Sequence, residues 1–183
     1  MKIGKPHAPY IANKISIDLF NSSFIKMNYG VEPVAQTAKK LIEDDIQKEI
    51  ALEERVYEIM EENEDEMEFM QVDKRNMFWL IKKRLAPEYG VILSYEDRYS
   101  DLSHKILDEL IQNDLIEFQV SENKVKNVIF NSIESYIEKF EDIEDRVIEK
   151  IKNYKRKLIP GSEEYDIVFE KLYQEELKKI GMM

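Results

Sequence analysis

The chain has 183 residues, no cysteine, only five glycines and a formal net charge of −11, with 36% of its residues charged. Disulfides and thiolate chemistry are therefore excluded, and the profile is that of a helical protein in a reducing cytoplasm. No apolar run reaches membrane-span length, and the N-terminal MKIGKPHAPY lacks the apolar region of a signal peptide, so the expectation is a cytoplasmic protein with no membrane partner.

Proline is welcome at the first helical position, so Pro9 opens a first helix near Tyr10, with Ile11, Ile15 and Leu19 along one face. Asn21, Ser22 and Ser23 break it, residues 24–28 read as a short extended piece, and Gly30 turns the chain toward a second helix begun by Pro33. That helix is expected over residues 33–69, with Val34, Ala38, Leu41, Ile42, Ile46, Ile50, Val56, Met60 and Met67 as an imperfect apolar stripe. Its other side carries seven like-charge pairs at i,i+4, including Asp45/Glu49, Glu49/Glu53 and Glu64/Glu68. Each costs about 0.2–0.5 kcal/mol, on the order of 1.5–3.5 kcal/mol together. Either something offsets this or the helix frays near residues 61–66. Asp73 is placed to cap a third helix through Leu85, with Met77, Phe78, Trp79, Leu80, Ile81 and Leu85 toward a core. Pro87 and Gly90 end it.

Ser94 with Asp97 makes a capping-box-like start to a fourth helix, whose apolar face is Tyr99, Leu102, Ile106, Leu110 and Ile111. Residues 115–120 repeat the extended piece. Ser121 then caps a fifth helix over residues 122–158, with Ile129, Ile133, Tyr136, Phe140, Ile143, Val147, Ile151, Tyr154 and Leu158 at nearly heptad spacing. At 1.5 Å per residue it would be roughly 55 Å long, longer than a compact lobe, so it should pack on a counterpart or protrude as a stalk. Pro160, Gly161 and Ser162 form a turn ending in an N-cap. The last helix turns Tyr165, Val168, Phe169, Leu172, Tyr173, Leu177 and Ile180 inward and stops at Gly181.

Internal repeats decide folds, so the chain was slid against itself. At an offset of 91, half the length, 15 positions are identical without a gap, and 13 of them fall between residues 14 and 58. Residues 52–60 (LEERVYEIM) lie over residues 143–151 (IEDRVIEKI). Apolar periodicity alone produces some matches, but Lys14/Lys105 and Arg55/Arg146 are charged. The expected architecture is all-α: a tandem duplication of a three-helix unit, residues 1–91 and 92–183, with elongated central helices forming a Y or a stalk. Tyr89 and Tyr95 flank the join and are placed to pin the lobes together.

The second half carries DLSHKILDELIQNDLIEF, the long acidic-basic helix, and then PGSEEYDIVFEKLYQEELKKIG. These stretches resemble a bacterial family of unknown function, domain of unknown function 507. The resemblance is most specific in PGSEEYDIVFEKLYQEEL, covers residues 94–181 well, and extends to residues 5–90 as a second copy. It implies an all-helical cytoplasmic bacterial protein and brings no activity, cofactor or catalytic residue.

The chemistry-bearing motifs point away from an enzyme. His7 and His104 have no HExxH spacing, and the glycines form neither GxGxxG nor GxxxxGK[ST]. His104 reads as a surface or partly buried helical residue and His7 as a packing one. Carboxylate pairs abound, but a general acid needs a desolvated pocket, so no cofactor, catalytic residue or dedicated metal site is expected. Phe78, Trp79, Phe169 and Tyr173 read as packing residues.

Two charged runs remain. Between residues 43 and 68 there are 13 acids and two bases, and the rest of the chain is balanced. Within this run Glu58, Glu61, Glu62, Asp65 and Glu66 form a candidate acidic docking face; the alternatives are a solvated helix face or a weak, adventitious divalent cation site. Lys150, Lys152, Lys155, Arg156 and Lys157, interleaved with Tyr154, form a candidate basic patch for RNA; the alternatives are a helix-dipole complement and a counter-charge to residues 61–66 at the 91 offset. The expected function is therefore a non-catalytic helical interaction or scaffold protein docking another protein or a ribonucleoprotein. The alternative is an RNA- or ribosome-associated protein using residues 150–157.

Overall fold

A computed structural model describes residues 3–154, 156–160 and 162–179. They are built almost wholly of helix: a 3-10 turn Lys5–His7, then α1 (Ala8–Phe20), β1 (Ile25–Met27), α2 (Val31–Glu62), α3 (Glu64–Phe69), α4 (Lys74–Leu85), α5 (Tyr95–Gln112), β2 (Ile116–Phe118), α6 (Glu122–Lys152) and α7 (Glu163–Lys179). The all-α expectation holds, with one addition. The two extended pieces are strands, and they pair with each other antiparallel as Ile25 with Phe118, Lys26 with Glu117 and Met27 with Ile116.

Contacts gather residues 3–132 into one compact unit and the described residues from 133 onward into a second, with the boundary inside α6. This grouping cuts across the sequence halves 1–91 and 92–183. In the first unit α2 packs on α1, α4 and α5, while β1 pairs with β2, so the start of the second half belongs to the same core as the first. Ile11, Ile15 and Leu19 of α1 are buried with Val34, Ala38, Ile42 and Ile46 of α2, Leu102, Ile106 and Leu110 of α5, and Val125 and Ile129 of α6. These are the predicted stripes, at the spacing that puts them on one helical face.

Farther along α2, Leu52 and Val56 form a smaller cluster with Ala86 and Val91, against which Met60, Phe78, Ile81 and Leu85 pack. In the second unit Ile143, Val147 and Ile151 of α6 are covered by Tyr165, Val168, Phe169, Leu172 and Tyr173 of α7. Subtracting 91 from Ile143, Val147 and Ile151 gives Leu52, Val56 and Met60; the same step takes Phe169 and Leu172 to Phe78 and Ile81. The strands obey the same offset, since residues 116–118 less 91 are residues 25–27, and the central pair Lys26–Glu117 joins two residues 91 apart.

Helix ends follow a shared device. Asn63, Asn113 and Asn153 follow the last residues of α2, α5 and α6, and their side-chain amides donate to the carbonyls of Ile59 (2.7 Å), Glu109 (2.9 Å) and Glu149 (3.1 Å). An asparagine amide that takes the carbonyl four residues back competes with the continuing helix ladder. This shortens both long helices relative to expectation: α2 stops at Glu62 rather than residue 69, and α6 at Lys152 rather than residue 158. The break in α2 falls in the acidic stretch where fraying was expected.

Other local expectations divide. Gly30 and Gly90 adopt left-handed φ of 79° and 64°, which glycine tolerates without a Cβ penalty. The Asp73 carboxylate accepts from the amides of Arg75 and Asn76, a working N-cap. Ser94 occupies the cap of α5 but makes no side-chain cap bond, so the expected capping box does not form there. Ser162 does cap α7, its Oγ accepting from the Tyr165 amide at 3.2 Å. The expectations for Gly161, Ile180, Gly181 and the side chain of Leu177 lie outside the described residues.

Candidate functional site

The feature that sequence reasoning missed is a buried chain of charges in the first unit. Asp45, Glu49 and Glu53 follow one another at single-turn spacing along α2, and Lys82 of α4 and Arg98 of α5 reach into them. Glu49 lies at the centre, 3% exposed, accepting from Lys82 Nζ at 2.9 Å on Oε1 and from Arg98 Nη1 at 2.6 Å on Oε2. Lys82 also donates to Glu53 at 2.7 Å, and Arg98 Nε donates to Asp45 at 2.7 Å while its Nη2 reaches the Asp45 carbonyl at 3.3 Å. Arginine suits this place because its fork can hold two acceptors at fixed angles.

The network answers the electrostatic question raised by α2. The like-charge pairs Asp45/Glu49 and Glu49/Glu53 are neutralised by cations from two other helices, and Arg55 bonds Glu58 at 2.9 Å and Glu62 at 3.5 Å. Lys74 bonds Glu64 at 2.9 Å and lies 3.7 Å from Glu68. Burial by itself pushes the Glu49 carboxyl up, but the hydrogen bonds from Arg98 and Lys82, and then their charges, outweigh it and leave its pKa below 4.5. Burial likewise pulls Lys82 and Arg98 down, and their carboxylate partners more than restore them. A carboxylate held ionised by two permanent cations is a poor general acid. The network is a clamp on α2, α4 and α5 rather than a proton-transfer site.

Sequence signals for the clamp were present. Lys82 stands four residues from Phe78 on an otherwise apolar face, and Arg98 stands four residues before Leu102 on another. A basic residue in an apolar stripe calls for a buried counter-charge, and the acidic column Asp45, Glu49, Glu53 supplies it.

Past this clamp, the end of α2, α3 and the start of α4 enclose an open cleft of about 610 Å³. It is lined by the aromatic and apolar side chains of Tyr57, Met60, Met67 and Phe78 and by the charged ones of Glu61, Glu64, Lys74 and Arg75, of which Lys74 is paired with Glu64. The Tyr57 and Phe78 rings lie 5.1 Å apart, and Trp79 meets Phe78 edge-on at 5.8 Å with Lys82 Nζ 5.2 Å from its centroid. Trp79 is 52% exposed and Leu80 is also exposed, which corrects the expectation that both face a core. Helix α4 has one buried face, taken by Phe78, Ile81 and Leu85, and positions 79 and 80 point away from it. In the second unit Phe169 and Tyr173 do pack as expected.

The predicted acidic face lies beside this cleft. Glu61 lines it, Glu58 and Glu62 are tied to Arg55, and Asp65 and Glu66 on α3 are exposed and carry no ion pair among the described residues. The predicted basic patch belongs to the second unit and is partly engaged. Lys150 donates to Glu176 at 2.5 Å, Arg156 lies 3.7 Å from Glu164, and Lys152 and Lys157 are exposed. Lys155 lies outside the described residues. Glu176 also accepts from Lys179 at 2.7 Å, and the hydrogen bonds from Lys150 and Lys179 hold its carboxyl down to about 2. His104 is exposed, and His7 is half-buried, where burial lowers its pKa. Among the described residues no three histidines or carboxylates converge to hold a metal ion, and no helix is long and apolar enough to cross a membrane.

The family described as protein of unknown function (DUF507) matches residues 1–182 in a single run. The chain belongs to this family. The DUF507 match takes in both halves together, where two copies were expected from the sequence. No curated protein matches the chain.

Proposed function

We propose that this DUF507 protein is a non-catalytic interaction or scaffold protein that docks a macromolecular partner. The observation that carries this reading is the large apolar side chains left exposed on α2, α3 and α4 and just after α3: Tyr57, Phe69, Met70, Trp79 and Leu80. Tyr57 and Trp79 both meet the Phe78 ring and so lie on one patch, and aromatic residues are enriched at interface cores, where an exposed apolar patch marks a binding face. The buried charges support it from the other side, because the clamped carboxylates offer no acid or base to a substrate. Affinity purification from the native cell with and without nuclease, followed by mass spectrometry, tests the reading. A discrete protein that survives nuclease is the expected result; no nuclease-resistant partner overturns it.

A second reading, RNA or ribosome contact through the basic run, draws on the exposed Lys152 and Lys157. Engagement of Lys150 by Glu176 and of Arg156 by Glu164 reduces the free charge such contact needs. Loss of all partners on nuclease treatment would favour it. Bacterial origin and a cytoplasmic location belong to the proposal too; cell fractionation tests the latter.

The 91-residue offset is read as an internal duplication. Supporting it are the matched spans of β1 and β2, the pairing of Lys26 with Glu117, and the recurrence of the Leu52–Val56–Met60 cluster at Ile143–Val147–Ile151. Comparing the halves of other family members checks it: matches at the same offset are expected, and halves no more alike than unrelated helices would overturn it.

A further inference from the structure

We propose that the cleft between the end of α2, α3 and the start of α4 is a groove for an amphipathic helix of a partner protein, with basic residues beside its apolar stripe. This rests on the interaction-protein reading and names the partner's chemistry. Half of the lining residues are aromatic or apolar, and two of these are methionines, whose unbranched side chains adapt to different partner shapes. A helix laid into such a groove anchors through residues at i, i+3, i+4 and i+7. Tyr57 and Phe78 supply flat aromatic surface of the kind that concentrates binding energy.

Charge selects the occupant. From residue 54 to residue 75 there are nine carboxylates and three cations, Arg55, Lys74 and Arg75, and of the two cations that line the cleft Lys74 is already paired with Glu64. Among the described residues Glu54, Glu61, Asp65 and Glu66 carry no ion pair, and Glu61 and Asp65, four apart, are an unrelieved like-charge pair. Lysines or arginines flanking a partner's apolar stripe would supply the missing cations and steer its approach. The same carboxylates repel nucleic-acid phosphates and anionic lipid surfaces, which leaves a basic protein segment as the complementary ligand.

Trp79 is the single tryptophan of the chain, and its contact with Phe78 makes it a reporter for the groove. The experiment titrates the full-length protein with a synthetic peptide carrying a leucine stripe flanked by lysines. Tryptophan emission and the anisotropy of labelled peptide are both read. Controls are a scrambled peptide without the stripe and one with glutamate in place of lysine. Saturable binding is expected, weaker by about tenfold or more for both controls. Tyr57→Ala and Glu61→Lys, both at exposed positions, should each weaken binding by about tenfold while leaving the urea midpoint of the free protein within the range of the parent. Glu32→Lys at the far end of α2 should leave it unchanged. Absence of binding, equal binding of the scrambled peptide, or equal binding to both groove variants overturns the proposal. A nuclease-resistant cellular partner that binds Tyr57→Ala and Glu61→Lys as well as the parent would overturn the groove while leaving the interaction reading intact.

Discussion

Glu49 is the residue on which most depends. It is buried, and it bonds both Lys82 and Arg98. Removing one partner of a buried ion pair leaves the other uncompensated, so Glu49→Gln should lower stability by about 3–5 kcal/mol in urea denaturation. The pH dependence follows in sign. Because the folded pKa of Glu49 is below 4.5, its stabilisation is complete above that value and is lost as pH falls through the lowered one. Urea midpoints measured across this range should fall with acid in the parent, and fall less in Glu49→Gln. The 91 offset adds a contrast: Asp45, Glu49 and Lys82 correspond to Tyr136, Phe140 and Tyr173. Those rings form a chain in the second unit, with centroids 4.6 Å and 5.8 Å apart. A charged clamp in one unit thus stands where tilted aromatic rings stand in the other, and both solutions fill the space between a long helix and its neighbour.

Capping and termination govern the elements. Asp73 takes two first-turn amides of α4, and Asp73→Ala should cost about 1 kcal/mol by thermal denaturation. The loss would act on α4, which carries Phe78 and Lys82, so it should also weaken peptide binding at the groove. Strand pairing is weaker: the Lys26–Glu117 ion pair is 3.6 Å long and largely exposed. Exposed pairs contribute little, so reversing both charges together should leave stability within a few tenths of a kcal/mol.

Across the molecule, burial is uneven. Helices α2, α5 and α6 each bury seven or more residues, whereas in α7 the buried position among those described is Glu176. Elements with few buried contacts open at lower free energy. Amide hydrogen exchange should therefore be slowest in α2, α5 and α6 and faster in α7, and equal protection would contradict this account. The Glu176 carboxylate links α6 and α7 by accepting from Lys150, so Glu176→Gln should speed exchange in α7 further.

Periodicity, capping residues and the 91-residue offset are local or one-dimensional properties, and the sequence by itself determined what depends on them. The helical class, both extended pieces, most of the apolar stripes of α1, α2, α5 and α6, and the acidic stretch near the helix break were all legible there. Tertiary structure alone decided which charges are buried and which apolar residues are not. Asp45, Glu49 and Glu53 read as a costly column until Lys82, 33 residues beyond Glu49, and Arg98, 49 residues beyond it, were brought to them. Trp79 and Leu80 read as core until α4 was seen to have one covered face. The physical reason is common to both: periodicity shows which face of a helix is apolar, while the neighbours that cover or neutralise a given position arrive from distant parts of the chain.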